Sequence, residues 1–144
     1  GEGDSVLIIL DTDENCAVDV VNNWCPRIVA LRPNKKIGIC FFVKEFEALF
    51  LACLDQLRNR YPDYNWNTDN WDVETNPEHP RGAKEILSKS MVKGRSYKET
   101  TDQAKFVEAL DMDVLHVKSR AYRHFETTLQ WLKDDTSSIL YPEI

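Results

Sequence analysis

The stretch Ser5 to Asn15, SVLIILDTDEN, constrains this chain more than any other. Val6 to Leu10 run apolar without a break and stop at Asp11, Thr12, Asp13 and Glu14. An unbroken run with β-branched residues, closed by polar ones, predicts a strand buried on both faces of a sheet. Ligands of open α/β sheets bind just outside the carboxyl ends of such strands. Asp11 and Asp13 are therefore expected at a strand tip, both facing one point. Two carboxylates there repel each other, and a hard cation such as Mg²⁺ or Mn²⁺ is the usual compensation. The competing reading makes Asp11 a helix cap and sets Asp13 and Glu14 in that helix's first turn, where acids suit the dipole.

At 144 residues the chain suits one domain, 1–144, with a real core. No apolar run approaches the length of a membrane span, and GEGDSV at the start has no signal-peptide character. The cysteines at 16, 25, 40 and 53 form no C-x-x-C pair, so zinc spacing is absent and a reduced, cytoplasmic protein is expected. Cys40 and Cys53 fall in apolar patterns and read as small core residues. The net charge of −6 is unevenly spread. Residues 1–80 carry 7 basic and 14 acidic side chains, whereas residues 81–124 carry 10 basic and 6 acidic. An acidic half with a candidate metal site and a basic segment after it suits a polyanionic substrate, although charge runs are more often solvated faces.

Cys16 to Trp24 reads as a short amphipathic helix with Ala17, Val20, Val21 and Trp24 inward, ended by Pro26. Ile28 to Leu31 then reads as a short strand, and Ile37 to Val43 as a second buried one. In Lys44 to Arg58, Phe46, Leu49, Phe50, Cys53, Leu54 and Leu57 recur at helical spacing. Glu47, beside that apolar face, is expected either to join the acidic tip as ligand or general base, or to be a first-turn acid. Asn59 to Pro80 is a long loop without period, whose Trp66 and Trp71 more plausibly anchor it on its own domain than stack on a ligand. Helices follow over 80–92, 101–110 (capped by Thr101 or Asp102) and 119–132, with Tyr122, Phe125, Leu129 and Leu132 inward on the last. The apolar end of the tail either docks or frays.

Asp11-x-Asp13 after a strand, Glu47 opening an apolar helix, Tyr97-Lys98, and Ser119 to Phe125 in the last helix give a resemblance. Over roughly residues 5–132 the chain resembles a largely uncharacterised bacterial family with a Toprim-like core, often encoded beside an ATPase in phage-defence loci. The resemblance implies an open α/β sheet with helices on its faces, followed by a helical C-terminal segment. Toprim domains bind Mg²⁺ for phosphodiester chemistry with a first-strand Glu and a later D-x-D, which Asp11 and Asp13 match. The first-strand Glu has no match, since Glu2 has no strand before it. An upstream segment that carries it is expected to be missing, or the acid to be lost.

Two functions follow from this resemblance. The first is an Mg²⁺- or Mn²⁺-dependent Toprim-like nuclease, the effector of an ATPase-linked antiviral system. In it Asp11 and Asp13 hold the metal, Glu47 assists, and Lys98, Arg120 and Arg95 contact substrate phosphates. The second is an inactive Toprim-like docking subunit of an ATPase complex. The haloacid-dehalogenase nucleophile pattern, D-x-D-x-T/V, fails at Asn15. His79 and His116 have no partner at metal spacing and read as structural.

Overall fold

A computed structural model describes residues 5–11, 17–31, 35–42, 45–67, 77, 82–92, 94–134 and 140–141. They form a mixed α/β chain that is mostly helical, with seven α-helices among the described residues. Its contacts divide into a sheet unit, 1–43 with 121–144, and a helical unit, 44–120.

In the sheet unit, β1 (Val6–Asp11), α1 (Ala17–Leu31) and β2 (Ile37–Phe42) make a β-α-β crossover. The two strands pair in parallel from Val6↔Ile37 to Asp11↔Phe42. β3 (Leu140–Tyr141) adds in parallel to the other side of β2, so the apolar tail docks. The strand order β1-β2-β3 makes β2 the central strand, and it is β2 that carries the deep burial. β1 does not meet the expectation of burial on both faces: Val6 is 38% and Ile9 48% exposed. An apolar run reports hydrophobicity and says nothing of rank in the sheet, and β1 has a strand neighbour on one side only among the described residues.

Two further expectations fail in α1. Pro26 does not end the helix, and Ile28 to Leu31 is helical rather than a strand. Parallel neighbours need a crossover of a dozen residues or more, which the short helix could not supply. A mid-helix proline costs about 3 kcal/mol. Burial of Val21 and Cys25 with Ile28 against Ile8, Leu10, Ile37 and Ile39 offsets it, at about 1.5–3 kcal/mol for each large aliphatic chain. Asn22, whose carbonyl loses its helical donor to the proline, is exposed and can bond to water instead. Trp24, expected inward, is 52% exposed.

The second face of β2 meets α7 (Arg120–Lys133). A Cβ at Gly38 would stand 2.5 Å from Thr128 Cγ2 and 3.2 Å from Leu132 Cδ1, so only glycine allows this approach. Lys36 then secures the end of α7: its ammonium donates to the carbonyls of Trp131, at 2.8 Å, and Asp134, and lies over the Trp131 ring.

The helical unit begins with α2 (Ala48–Ala52) and α3 (Leu54–Arg60), which share the single expected helix between them. They kink at Cys53, whose sulfur accepts the Asp111 N–H at 3.5 Å and faces the Asp111 carbonyl. The expected inward positions hold, with Leu49, Phe50, Cys53 and Leu57 buried. After a 3₁₀ turn at Pro62–Tyr64 come α4 (Ala83–Lys89), α5 (Glu99–Val107) and α6 (Met112–Lys118). The core is aromatic: Phe106 lies 5.4–5.8 Å, centroid to centroid, from Phe50, Tyr61, Tyr64, Trp66 and Tyr97. Trp66 anchors its loop on this unit, stacking on Tyr64 and donating its indole N–H to the Tyr61 carbonyl. Trp71 lies outside the described residues.

Neither Thr101 nor Asp102 is the N-cap of α5, a position Lys98 holds. Asp102 instead sits inside the first turn, 4% exposed, and reaches back to accept the Lys98 N–H at 2.9 Å and the Tyr64 hydroxyl at 2.8 Å. That return bond satisfies the N-cap amide from the fourth helical position, with no reciprocal bond from the Lys98 side chain. Ala104 and Val107, expected inward, are exposed, because Phe106 and Asp102 take the buried side.

Candidate functional site

Asp11 is the last residue of β1 and is exposed at its carboxyl end, beside Phe42 of β2. This is where a parallel β-α-β unit presents ligand-binding groups. Its carboxylate is a hard oxygen donor, and Mg²⁺ is commonly held by one or two such groups with water and phosphate oxygens completing the shell. Asp13 lies outside the described residues, as does the rest of the tip. Among the described residues no three His, Cys, Asp or Glu side chains converge on one metal position.

Glu47 takes a different environment, in the helical unit. It immediately precedes α2 and is only 2% exposed. Its Oε1 accepts the Tyr97 hydroxyl at 3.0 Å and faces the Gln103 amide nitrogen at 3.5 Å. Burial pushes the Glu47 carboxyl above its ordinary value of 4.5, while the hydrogen bonds and nearby Lys84 oppose that rise. The Tyr97 phenol is driven far above the usual tyrosine range by its own burial and by the adjacent Glu47 charge, so it remains a proton donor. Lys84 pairs with Glu99 at 2.5 Å, which holds its ammonium above the ordinary lysine value. Its backbone N–H donates to Glu45 Oε2 at 3.0 Å, satisfying a first-turn amide of α4.

The three expected phosphate contacts are exposed cations. Arg95 lays its guanidinium 3.5 Å above the Tyr64 ring centroid. Stacking fixes its plane. Lys98 has its backbone fixed by Asp102, and Arg120 opens α7. Among the described residues neither Arg95 nor Lys98 has a carboxylate at ion-pair distance. His116 lies exposed in the last turn of α6, and His79 is outside the described residues.

The partners of Glu47 escape a reading of the sequence. Tyr97 follows a basic turn, Gln103 sits inside a polar helix, and both are about fifty residues from Glu47 in the chain. Only the tertiary fold of the helical unit brings them to one carboxylate.

No helix among the described residues is long and apolar enough to cross a membrane. No curated protein and no solved structure matches the chain. A family model described as a domain of unknown function, DUF4276, matches residues 4–130, and the chain belongs to that family.

Proposed function

We propose that this chain is a Mg²⁺- or Mn²⁺-dependent, Toprim-like phosphodiester hydrolase acting on nucleic acid, and the effector of an ATPase-linked antiviral system. The observation that carries the chemistry is Asp11, an exposed carboxylate at the carboxyl end of a parallel strand in a β-α-β unit. Asp11 and Asp13 hold the metal, which supplies charge neutralisation at the phosphate and a more acidic water. Glu47, a buried carboxyl with a hydroxyl donor, has the environment of a proton acceptor. Arg95, Lys98 and Arg120 are the cations assigned to substrate phosphates. The ATPase and the antiviral role rest on the sequence resemblance alone.

The test is calorimetric titration of the chain with Mg²⁺ and Mn²⁺, beside Asp11→Ala and Asp11→Ala/Asp13→Ala. Binding in the parent and its loss in both variants is the expected outcome. Metal binding that survives both substitutions removes the acidic tip from the mechanism.

A second reading is a docking subunit of an ATPase complex, for which single exposed apolar side chains of the sheet unit are available as contacts. Ile9, Val18 and Trp24 are each about half exposed or more. Absence of metal binding in the parent chain would leave this reading in front.

A further inference from the structure

We infer that Tyr97 is the positioning residue of Glu47, its hydroxyl holding the buried carboxylate in a single orientation and in the form that accepts a proton. The inference rests on the assignment of Glu47 as proton acceptor above and adds the group that makes it competent.

Glu47 is 2% and Tyr97 8% exposed, so the phenol depends on the carboxylate for a polar contact, and the carboxylate has the phenol as its closest side-chain donor beside its own backbone N–H. The phenol donates at 3.0 Å, whereas the Gln103 amide stands at 3.5 Å, the outer limit of a hydrogen bond. Tyr97 is also held from three further sides. Its backbone N–H donates to Ser88 Oγ at 3.0 Å, its ring stacks on Phe106 at 5.8 Å, and Phe50 borders it at 6.2 Å. A donor fixed in this way orients its acceptor, because the carboxylate cannot turn without abandoning the bond. Being neutral, the phenol stabilises the anion without consuming the proton the carboxylate must take.

The other charged groups about Glu47 do not duplicate this. Lys84, from α4, favours the ionised carboxylate but is engaged by Glu99. Glu99, from α5, opposes ionisation, and Gln103 of the same helix is neutral. Glu45, on Glu47's own segment, is occupied by the Lys84 backbone. Asp102 bears on the Tyr97 hydroxyl and is itself engaged by Tyr64 and the Lys98 N–H. Removal of the Tyr97 hydroxyl therefore leaves a buried carboxylate with its own backbone N–H and one long side-chain contact, that of Gln103.

The experiment is Tyr97→Phe in the full chain, which keeps the ring and its packing, read in two ways. In protein labelled with ¹³C at glutamate carboxyls, the Glu47 resonance is identified by its absence in Glu47→Gln and followed against pH. Loss of the donor moves its midpoint up by about one pH unit, the scale of one hydrogen bond to a carboxylate. Mg²⁺-dependent hydrolysis of a single-stranded oligonucleotide is measured alongside. There kcat falls about tenfold or more with KM unchanged, and the acid limb of the profile moves with the carboxyl midpoint. An unmoved midpoint overturns the inference whatever the activity, and so does an unchanged kcat in a chain that hydrolyses the oligonucleotide. A shifted midpoint in a chain that hydrolyses nothing supports the pairing and removes the hydrolase reading instead.

Discussion

Glu47 is a carboxyl group in a place that would suit an amide at least as well. Burial raises its folded-state pKa above the ordinary 4.5, so the folded chain binds that proton more tightly than the unfolded one. The resulting stabilisation is fully present below the unfolded value and is lost as pH rises through the folded value. Gln in its place retains an acceptor for the Tyr97 hydroxyl and has no charge to desolvate. Glu47→Gln is therefore expected to match or exceed the parent in stability at neutral pH, by up to about 1 kcal/mol, while lacking its decline above pH 4.5. Melting temperatures of both proteins across that range measure this. A variant less stable than its parent at neutral pH would make the Glu47 charge a net structural contributor. The residue itself was legible in the sequence, as an acid beside the apolar face of a helix. Its burial was not, because no local pattern records that Tyr97 and Gln103 return to it.

The elements divide in the same way, according to whether short-range pattern or long-range demand decided them. β2 follows its apolar run closely, and α7 follows its helical pattern in extent, with Tyr122 of the expected stripe buried, Phe125, Leu129 and Leu132 half-buried, and Thr128 the most deeply buried. α6 was invisible beforehand: it is short, and its start depends on Asp111, which accepts the N–H groups of Asp113 and Val114. In α1, Pro26 is a strong local stop signal, and the need to span a parallel crossover overrides it. The conflict between signal and structure implies a measurable reserve of stability. Pro26→Ala restores a donor for the Asn22 carbonyl and should raise the unfolding free energy by about 1–3 kcal/mol in denaturant titration. A loss of stability would mean that the proline ring itself contributes to the fit of α1, with its Cys25, in the sheet unit's core.

Over the whole molecule, three described thiols report on both units. Cys25 and Cys40 belong to the sheet unit and Cys53 to the helical one, and all are buried, which pushes each thiol above its ordinary pKa. Reaction with a thiol reagent needs both access and thiolate. In native buffer the three are expected to react slowly, and in mild denaturant the rates should fall into two groups, one for each unit. Mass-spectrometric mapping of modified cysteines over time separates them, and rapid native labelling of Cys40 would contradict its buried place on β2 against Thr128. The two parallel strands were within reach of the sequence, but of the crossover helix only its first half, since Pro26 and Ile28 to Leu31 read as a stop and a strand. The partition was not, since it depends on which helices share a core rather than on any linker composition. That partition has a consequence for synthesis on the ribosome. The helical unit is one uninterrupted stretch, 44–120, and all its core residues have been synthesised before α7 is complete. The sheet unit begins with β1 and β2 but draws its second covering helix and β3 from residues after 120. The segment made first must therefore wait for the segment made last, holding the apolar strand β2 unpaired on one side while its inserted neighbour is free to fold.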